Sequence, residues 1–243
     1  MKVKRRLNKY LTKGLRKVRY RKGFGVHSPF AYSLITQVIN ENAPFYAYEE
    51  ILRLAKRYSS LPSKLPNFVY RRLPSTRLLF LLYRLINRFG SKQLLEVGNE
   101  GGLVSYVMGL PNTRAELISL GNDPMQMARA EALFEGEQPH KHCFLCGDIP
   151  TLLGEMPADY RADFLYLHTA AAANPDALYP LLDRLTGEDS IIFIESIHTN
   201  RDARRVWNLF RHSQRVRVSF DLYEVGICIV RERFYKQHYI VSF

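Results

Sequence analysis

The sequence reads as an α/β protein. A mostly parallel, doubly wound sheet of seven strands closes with an antiparallel C-terminal hairpin, and an α-helical N-terminal subdomain precedes it. Three observations predict this. Short apolar runs separated by helix-length segments recur from residue 93 onward, the pattern of buried parallel strands joined by helices. The last strand-like runs follow one another with no helix between them, so they are expected to pair antiparallel. The first 92 residues carry helical periodicities and no convincing strand.

Each element has its own signal. Residues 93–97, 116–120, 143–146, 162–167 and 190–194 are the parallel strand candidates, with helices expected at about 102–109, 124–135, 150–155, 174–185 and 200–212. Residues 216–222, 227–231 and 238–243 form the terminal strand-like runs. In the N-terminal part, Ser28 is an N-cap candidate and Pro29 suits the first helical position, where its missing N–H costs nothing. Helices are expected through Phe30, Leu34, Ile35 and Val38, then over 46–58, then over about 75–89, with Pro62, Pro66 and Pro74 punctuating the connector between the last two.

Charge divides the chain at the same place as pattern. The net charge is +12, and the first 40 residues carry eleven Lys or Arg and no acid. A basic helical region, 1–92, and a mildly acidic sheet domain, 93–243, are therefore the expected parts. Val3, Leu7, Leu11, Leu15 and Val18 fall on one helical face of residues 1–22, with Lys and Arg on the others. Such a helix suits an anionic membrane surface or a phosphate polyanion, or it docks on its own protein through the apolar stripe. No apolar stretch approaches the roughly 20 residues of a bilayer span. There is no apolar core of a signal peptide near the N-terminus, and three cysteines suit a reducing, cytoplasmic setting. Cys143 and Cys146 have metal-like spacing but no second pair, so no metal is expected there.

The most informative motif is Leu94-Leu95-Glu96-Val97-Gly98-Asn99-Glu100-Gly101-Gly102. A strand runs into a tight glycine turn and then a helix, with Glu96 near the strand's carboxyl end, where open α/β sheets bind ligands. This segment resembles the first motif of class I S-adenosylmethionine-dependent methyltransferases, whose Rossmann-like order of five parallel strands and a closing antiparallel pair is similar to the order read from 93 to 243. The chain also resembles a bacterial subgroup of small predicted methyltransferases, through His27-Ser28-Pro29-Phe30, Glu195-Ser196-Ile197-His198 and Gln237-His238.

The resemblance implies S-adenosylmethionine as cofactor. Gly98 and Gly102 would line its methionine and ribose part, Glu96 would sit near its amino group, and Asp148 would lie near the adenine edge. The family's acid at the end of the second strand is here Gly121, followed by Asn122 and Asp123. Asp123 either substitutes for that acid or caps the next helix. His168 stands where the subgroup has an Asp, and an acidic pair is reduced to Glu195 and Ser196. On the acceptor side, His198, Glu195 and His168 are the catalytic candidates. His198 is either a general base near neutrality or a hydrogen-bonding residue beside a helix.

Two functions follow. One is methyl transfer to a small-molecule acceptor of unassigned identity. The other is a catalytically degenerate relative that keeps the scaffold as a binding module for an anionic partner or membrane surface.

Overall fold

Ser28 opens the first helix as the sequence leads one to expect. Its hydroxyl accepts from the Ala31 amide at 3.3 Å, and Pro29 follows at the first helical position. The computed structural model describes residues 14, 16, 26–60, 74–135 and 141–243. The expected basic helix over 1–22, apart from Gly14 and Arg16, and most of the proline-punctuated connector lie outside the described residues. The helix after Ser28, α1, spans Pro29–Leu34 and continues as a π-helical turn, Ile35–Ile39.

Two longer helices follow, α2 (Ala47–Ser60) and α3 (Thr76–Phe89). Ser75 caps α3 by accepting from Leu78, and Gly90, at φ 62°, ends it in the left-handed conformation, where a residue without Cβ carries no steric penalty. The sheet domain then runs β1 (Gln93–Val97), α4 (Leu103–Gly109), β2 (Glu116–Gly121), α5 (Pro124–Phe134), β3 (Lys141–Cys146), α6 (Ile149–Glu155) and β4 (Ala162–Leu167). It continues with α7 (Pro175–Arg184), β5 (Thr186–Glu195), α8 (Arg201–His212), β6 (Val216–Asp221), β7 (Val225–Val230) and β8 (Gln237–Ile240). The eight strands form one sheet in the order β3-β2-β1-β4-β5-β7-β6-β8.

By packing, the chain forms two compact units: Ala43–Ala171, and Ala172–Phe243 with the N-terminal segment to Asn42. In the first, β3, β2, β1 and β4 are parallel. The strands β1 and β4 are nearly wholly buried, which is why they read as apolar runs without alternation. Helices α2, α3 and α4 pack on one another, and Ile51, Leu54, Leu79, Leu82 and Ile86 on the first two are buried.

In the second unit, β7 pairs antiparallel with both β5 and β6, the expected hairpin. One expectation is corrected here. Among the described residues there are eight strands rather than seven, and the last does not pair antiparallel: β8 lies parallel to β6, from Val218 opposite Gln237 to Asp221 opposite Ile240. Both edges of β7 are already taken by β5 and β6. The chain leaving β7 therefore lands on the free outer edge of β6, and a strand antiparallel to β7 is parallel to β6. On the opposite side of β7, a Cβ at Gly226 would lie 2.5 Å from the Trp207 ring, so glycine there lets α8 sit directly on the strand.

Candidate functional site

Two polar residues interrupt otherwise apolar strands, and the register brings them together. Glu96 in β1 lies directly opposite Ser119 in β2. Glu96 is fully buried, and an isolated carboxylate there would be strongly disfavoured. Four side chains answer it. His168, just past β4, donates from Nε2 to Glu96 Oε1 at 2.7 Å. Ser105 and Ser119 each donate to Oε2 at 2.5 Å, and Asn99 Nδ2 reaches Oε2 at 3.2 Å. Burial pushes the Glu96 pKa up, but the His168 hydrogen bond and charge, with the two hydroxyls, outweigh it and hold the carboxyl below its usual value.

This network sets the glycine turn. Asn99 Oδ1 accepts from the amides of Gly101 and Gly102 at 2.7 and 3.1 Å, so one side chain ties the buried carboxylate to the loop. Gly98, Gly101 and Gly102 all have φ near 90°, where L-residues are strained. Close packing adds to that demand. A Cβ on Gly98 would lie 2.5 Å from Ala171 Cβ, and one on Gly102 would lie 2.7 Å from Ala130 Cα. Tyr58 braces the loop from outside, donating to the Glu100 carbonyl at 2.6 Å. Beside Gly101, Gln126 Oε1 is a buried acceptor with no hydrogen-bond partner among the described residues.

The remaining cofactor-side candidates sit at strand ends and cap helices. Asp123 accepts from the amides of Met125 and Gln126 at the start of α5. Asp148 accepts from the Thr151 hydroxyl at 2.7 Å and its amide at 3.1 Å, opening α6. The Thr151 bonds hold the exposed Asp148 carboxyl below its usual pKa. The ends of β2 and β3 adjoin, since the Gly147 amide donates to the Gly121 carbonyl at 2.9 Å. At Gly121, where the resemblance calls for an acid, a Cβ would lie 2.5 Å from Met127 Sδ. The room a carboxylate side chain would need is filled by Met127.

Of the acceptor-side candidates, His168 is drawn into the Glu96 network and is 1% exposed. His198 belongs to the other unit and joins Asp221 instead, with Nε2 2.7 Å from Oδ2. Its ring stacks on Tyr223 at 5.1 Å between centroids. Asp221 also accepts from Arg16 Nη1 at 2.7 Å and from the Tyr223 amide at 2.8 Å. Burial pushes the Asp221 pKa up, but the bonds from His198, Arg16 and Tyr223 prevail and hold it far below the usual carboxylate range. Arg16 is therefore docked on the protein: its side chain is 11% exposed, with its guanidinium over the Tyr223 ring. Glu195 ends β5 opposite Val225, and Ser196 after it takes a left-handed conformation at φ 59°, its amide bonded to the Glu224 carbonyl at 2.6 Å.

Sequence reasoning missed Asn99, Ser105, Ser119, Gln126 and Asp221. The signal for Ser119 was present, as a lone polar residue in Leu117-Ile118-Ser119-Leu120. Cys143 and Cys146 on β3 are both exposed free thiols. Among the described residues, no group of three or more His, Cys, Asp or Glu is placed to hold a metal ion. No described helix is long and apolar enough to cross a membrane.

No family model matches the sequence, and no curated protein matches it by sequence. Solved structures do match in fold. The O-methyltransferase from Bacillus cereus in complex with SAH aligns at TM-score 0.61 and 14% identity, over 80% of this chain and 96% of that one. The SAH-bound methyltransferase PaMTH1 of Podospora anserina aligns at 0.59 and 12%, over 87% and 97%. The O-methyltransferase TomG of Streptomyces achromogenes, in complex with SAM, aligns at 0.56 and 13%, over 78% and 91%. The chain has the Rossmann-like methyltransferase fold, with the antiparallel C-terminal hairpin.

Proposed function

We propose that this protein is an S-adenosylmethionine-dependent methyltransferase acting on a hydroxyl of a small molecule. The observation that carries the reading is the glycine turn after β1, anchored through Asn99 to the buried Glu96, in a fold whose matched structures include one SAM-bound and one SAH-bound O-methyltransferase.

The residues present fit the cofactor in part. Asp148, exposed beyond β3, suits an adenine amino group. Gln126 Oε1, an acceptor without a partner among the described residues, suits a ribose hydroxyl that has lost its acid at position 121. Glu96 acts indirectly, by holding Asn99 and so the shape of the turn. Gly98 and Gly102 keep the turn close to its neighbours, with the cofactor expected beside Glu100, the one residue of the turn that is not buried. When bound, S-adenosylmethionine supplies an electrophilic methyl group on a sulfonium.

On the acceptor side, His198 is the proposed base. Within its own unit, His198 Nε2 faces the Asp221 carboxylate at 2.7 Å; with the proton on Nε2, Nδ1 carries the lone pair a general base uses. Glu195 and His168 are the second candidates, Glu195 at the strand end and His168 through its hold on Glu96.

Native mass spectrometry tests the reading. Protein incubated with millimolar S-adenosylmethionine is expected to carry one equivalent of the cofactor or of S-adenosylhomocysteine. Spectra that stay ligand-free under those conditions would favour the scaffold-only alternative.

A further inference from the structure

The end of β6 opposite Asp221 opens into a cavity of about 300 Å³, within the size range of small-ligand sites. It forms where the last turn of α8 meets the first residues of β6 and β8. Arg211 and His212 come from α8, Arg217 and Ser219 from β6, and Lys236 and His238 from the start of β8. Strand geometry explains the convergence. Arg217 lies at the register shift in β6 between Val216 and Val218, where a bulge re-aims a side chain, and the β6–β8 register sets His238 opposite Ser219. The Ser219 hydroxyl lies 2.9 Å from His238 Nδ1. Trp207 on α8 stands behind them, its ring 6.2 Å from that of His238 between centroids.

Three cationic side chains and two imidazoles line this cavity, and no carboxylate is among its lining residues. Basic residues in the last turn of a helix complement its dipole, which accounts for Arg211 and His212. It does not account for Arg217 and Lys236, which come from other elements. The cations also carry unmet demand: the Nε–H groups of Arg211 and Arg217 are each buried without a hydrogen-bond partner among the described residues. A buried donor left unsatisfied costs roughly 1–3 kcal/mol, and gathered like charges repel. One compact oxyanion with several acceptor oxygens relieves both, and the arginine fork matches phosphate geometry.

We infer that this cavity is a binding site for a small phosphate-type anion, separate from the His198–Asp221 end of β6. The inference does not depend on the proposed methyl transfer. Two further groups fit it. Lys236 donates to the Ser213 carbonyl, which steadies its ammonium beside the arginines. Burial and Arg211 lower the His238 pKa; the other groups facing it are Asp221 on β6, His212 on α8 and Arg16. The imidazole is thus held toward its neutral form in the free protein. An entering anion raises its proton affinity, and binding tightens as the pH falls.

The experiment is a titration of the full chain with inorganic pyrophosphate, with sodium chloride at matched ionic strength as control. It is read by the His238 imidazole NMR signal and by emission of Trp207, the only tryptophan. Saturable binding is expected, with the His238 pKa rising about one unit, a tenfold gain in proton affinity, and Trp207 emission quenched. The Arg211→Gln/Arg217→Gln double variant should bind at least tenfold more weakly. Lys236→Gln, at an exposed side chain, gives a second weakened variant that keeps both arginines should the double variant not fold. His238→Gln should keep binding with a shallower pH dependence, the remainder coming from His212 and from the probe's own protonation. Vesicles of phosphatidic acid in phosphatidylcholine separate a free anion from a lipid headgroup, and the concave site is expected to leave them unbound. A response reproduced by chloride, one undiminished in the variants, or vesicle binding without a pyrophosphate response would overturn the inference.

Discussion

Replacing Glu96 by Ala is expected to destabilise the fold by about 3–5 kcal/mol, the range for breaking a buried, hydrogen-bonded charge pair. The substitution leaves His168, Ser105, Ser119 and Asn99 with polar groups in a site that is 0–4% exposed. The glycine turn loses its anchor at the same time, because Asn99 carries the amides of Gly101 and Gly102. For a chain of this size that loss corresponds to a fall in melting temperature of roughly 10 °C, measurable by calorimetry or urea unfolding. A cost below about 1 kcal/mol would mean that the network contributes nothing net.

The pH dependence has a defined sign. The Glu96 carboxyl is held below its usual value in the folded protein. Its contribution is therefore fully present above the unfolded pKa, about 4.3, and is lost as the pH falls from there through the depressed folded value. Urea midpoints for the wild type should drop over that window, and the Glu96→Ala variant should show a shallower drop.

Asp221→Ala is the second large effect, about 2–4 kcal/mol. It is smaller than the first because His198 is 30% exposed at its side chain and is partly served by water. Removing the carboxylate leaves Arg16, at 11% exposure, without its two oxygens. Arg16→Gln should then cost less in the Asp221→Ala background than in the wild type, a double-mutant cycle read by urea unfolding. Additive costs would show that Arg16 and Asp221 are not coupled. Asp221 obeys the same sign as Glu96, since its depressed pKa makes its contribution present above about pH 4 and lost below it.

The parallel strands, the helices between them and the hairpin were legible because burial on both faces writes itself as short apolar runs, as in Phe164–Leu167 between two helices. The end of the chain was less legible. Nothing in His238–Phe243 says which edge is free, and that choice depends on β7 being already flanked on both sides. At the site, Glu96 and the glycines were readable as a motif, whereas their partners were not. Asn99 looked like an ordinary loop residue, and Ser105 lies in a helix whose buried face is otherwise apolar. Asp221 read as the end of a strand, and only the loop after β5 brings His198 to it. Long-range partners of this kind are set by register and loop geometry, which a linear pattern does not carry.

In the proposed function, the turn from Glu96 to Gly102, with Asp148 and Gln126, holds S-adenosylmethionine. Isothermal titration calorimetry of the full chain with S-adenosylhomocysteine tests it most directly. Saturable heat of one-site form is expected, weakened about tenfold when Asp148→Ala removes one charge-assisted hydrogen bond. Absence of heat at millimolar ligand, from protein that still melts cooperatively, would contradict it.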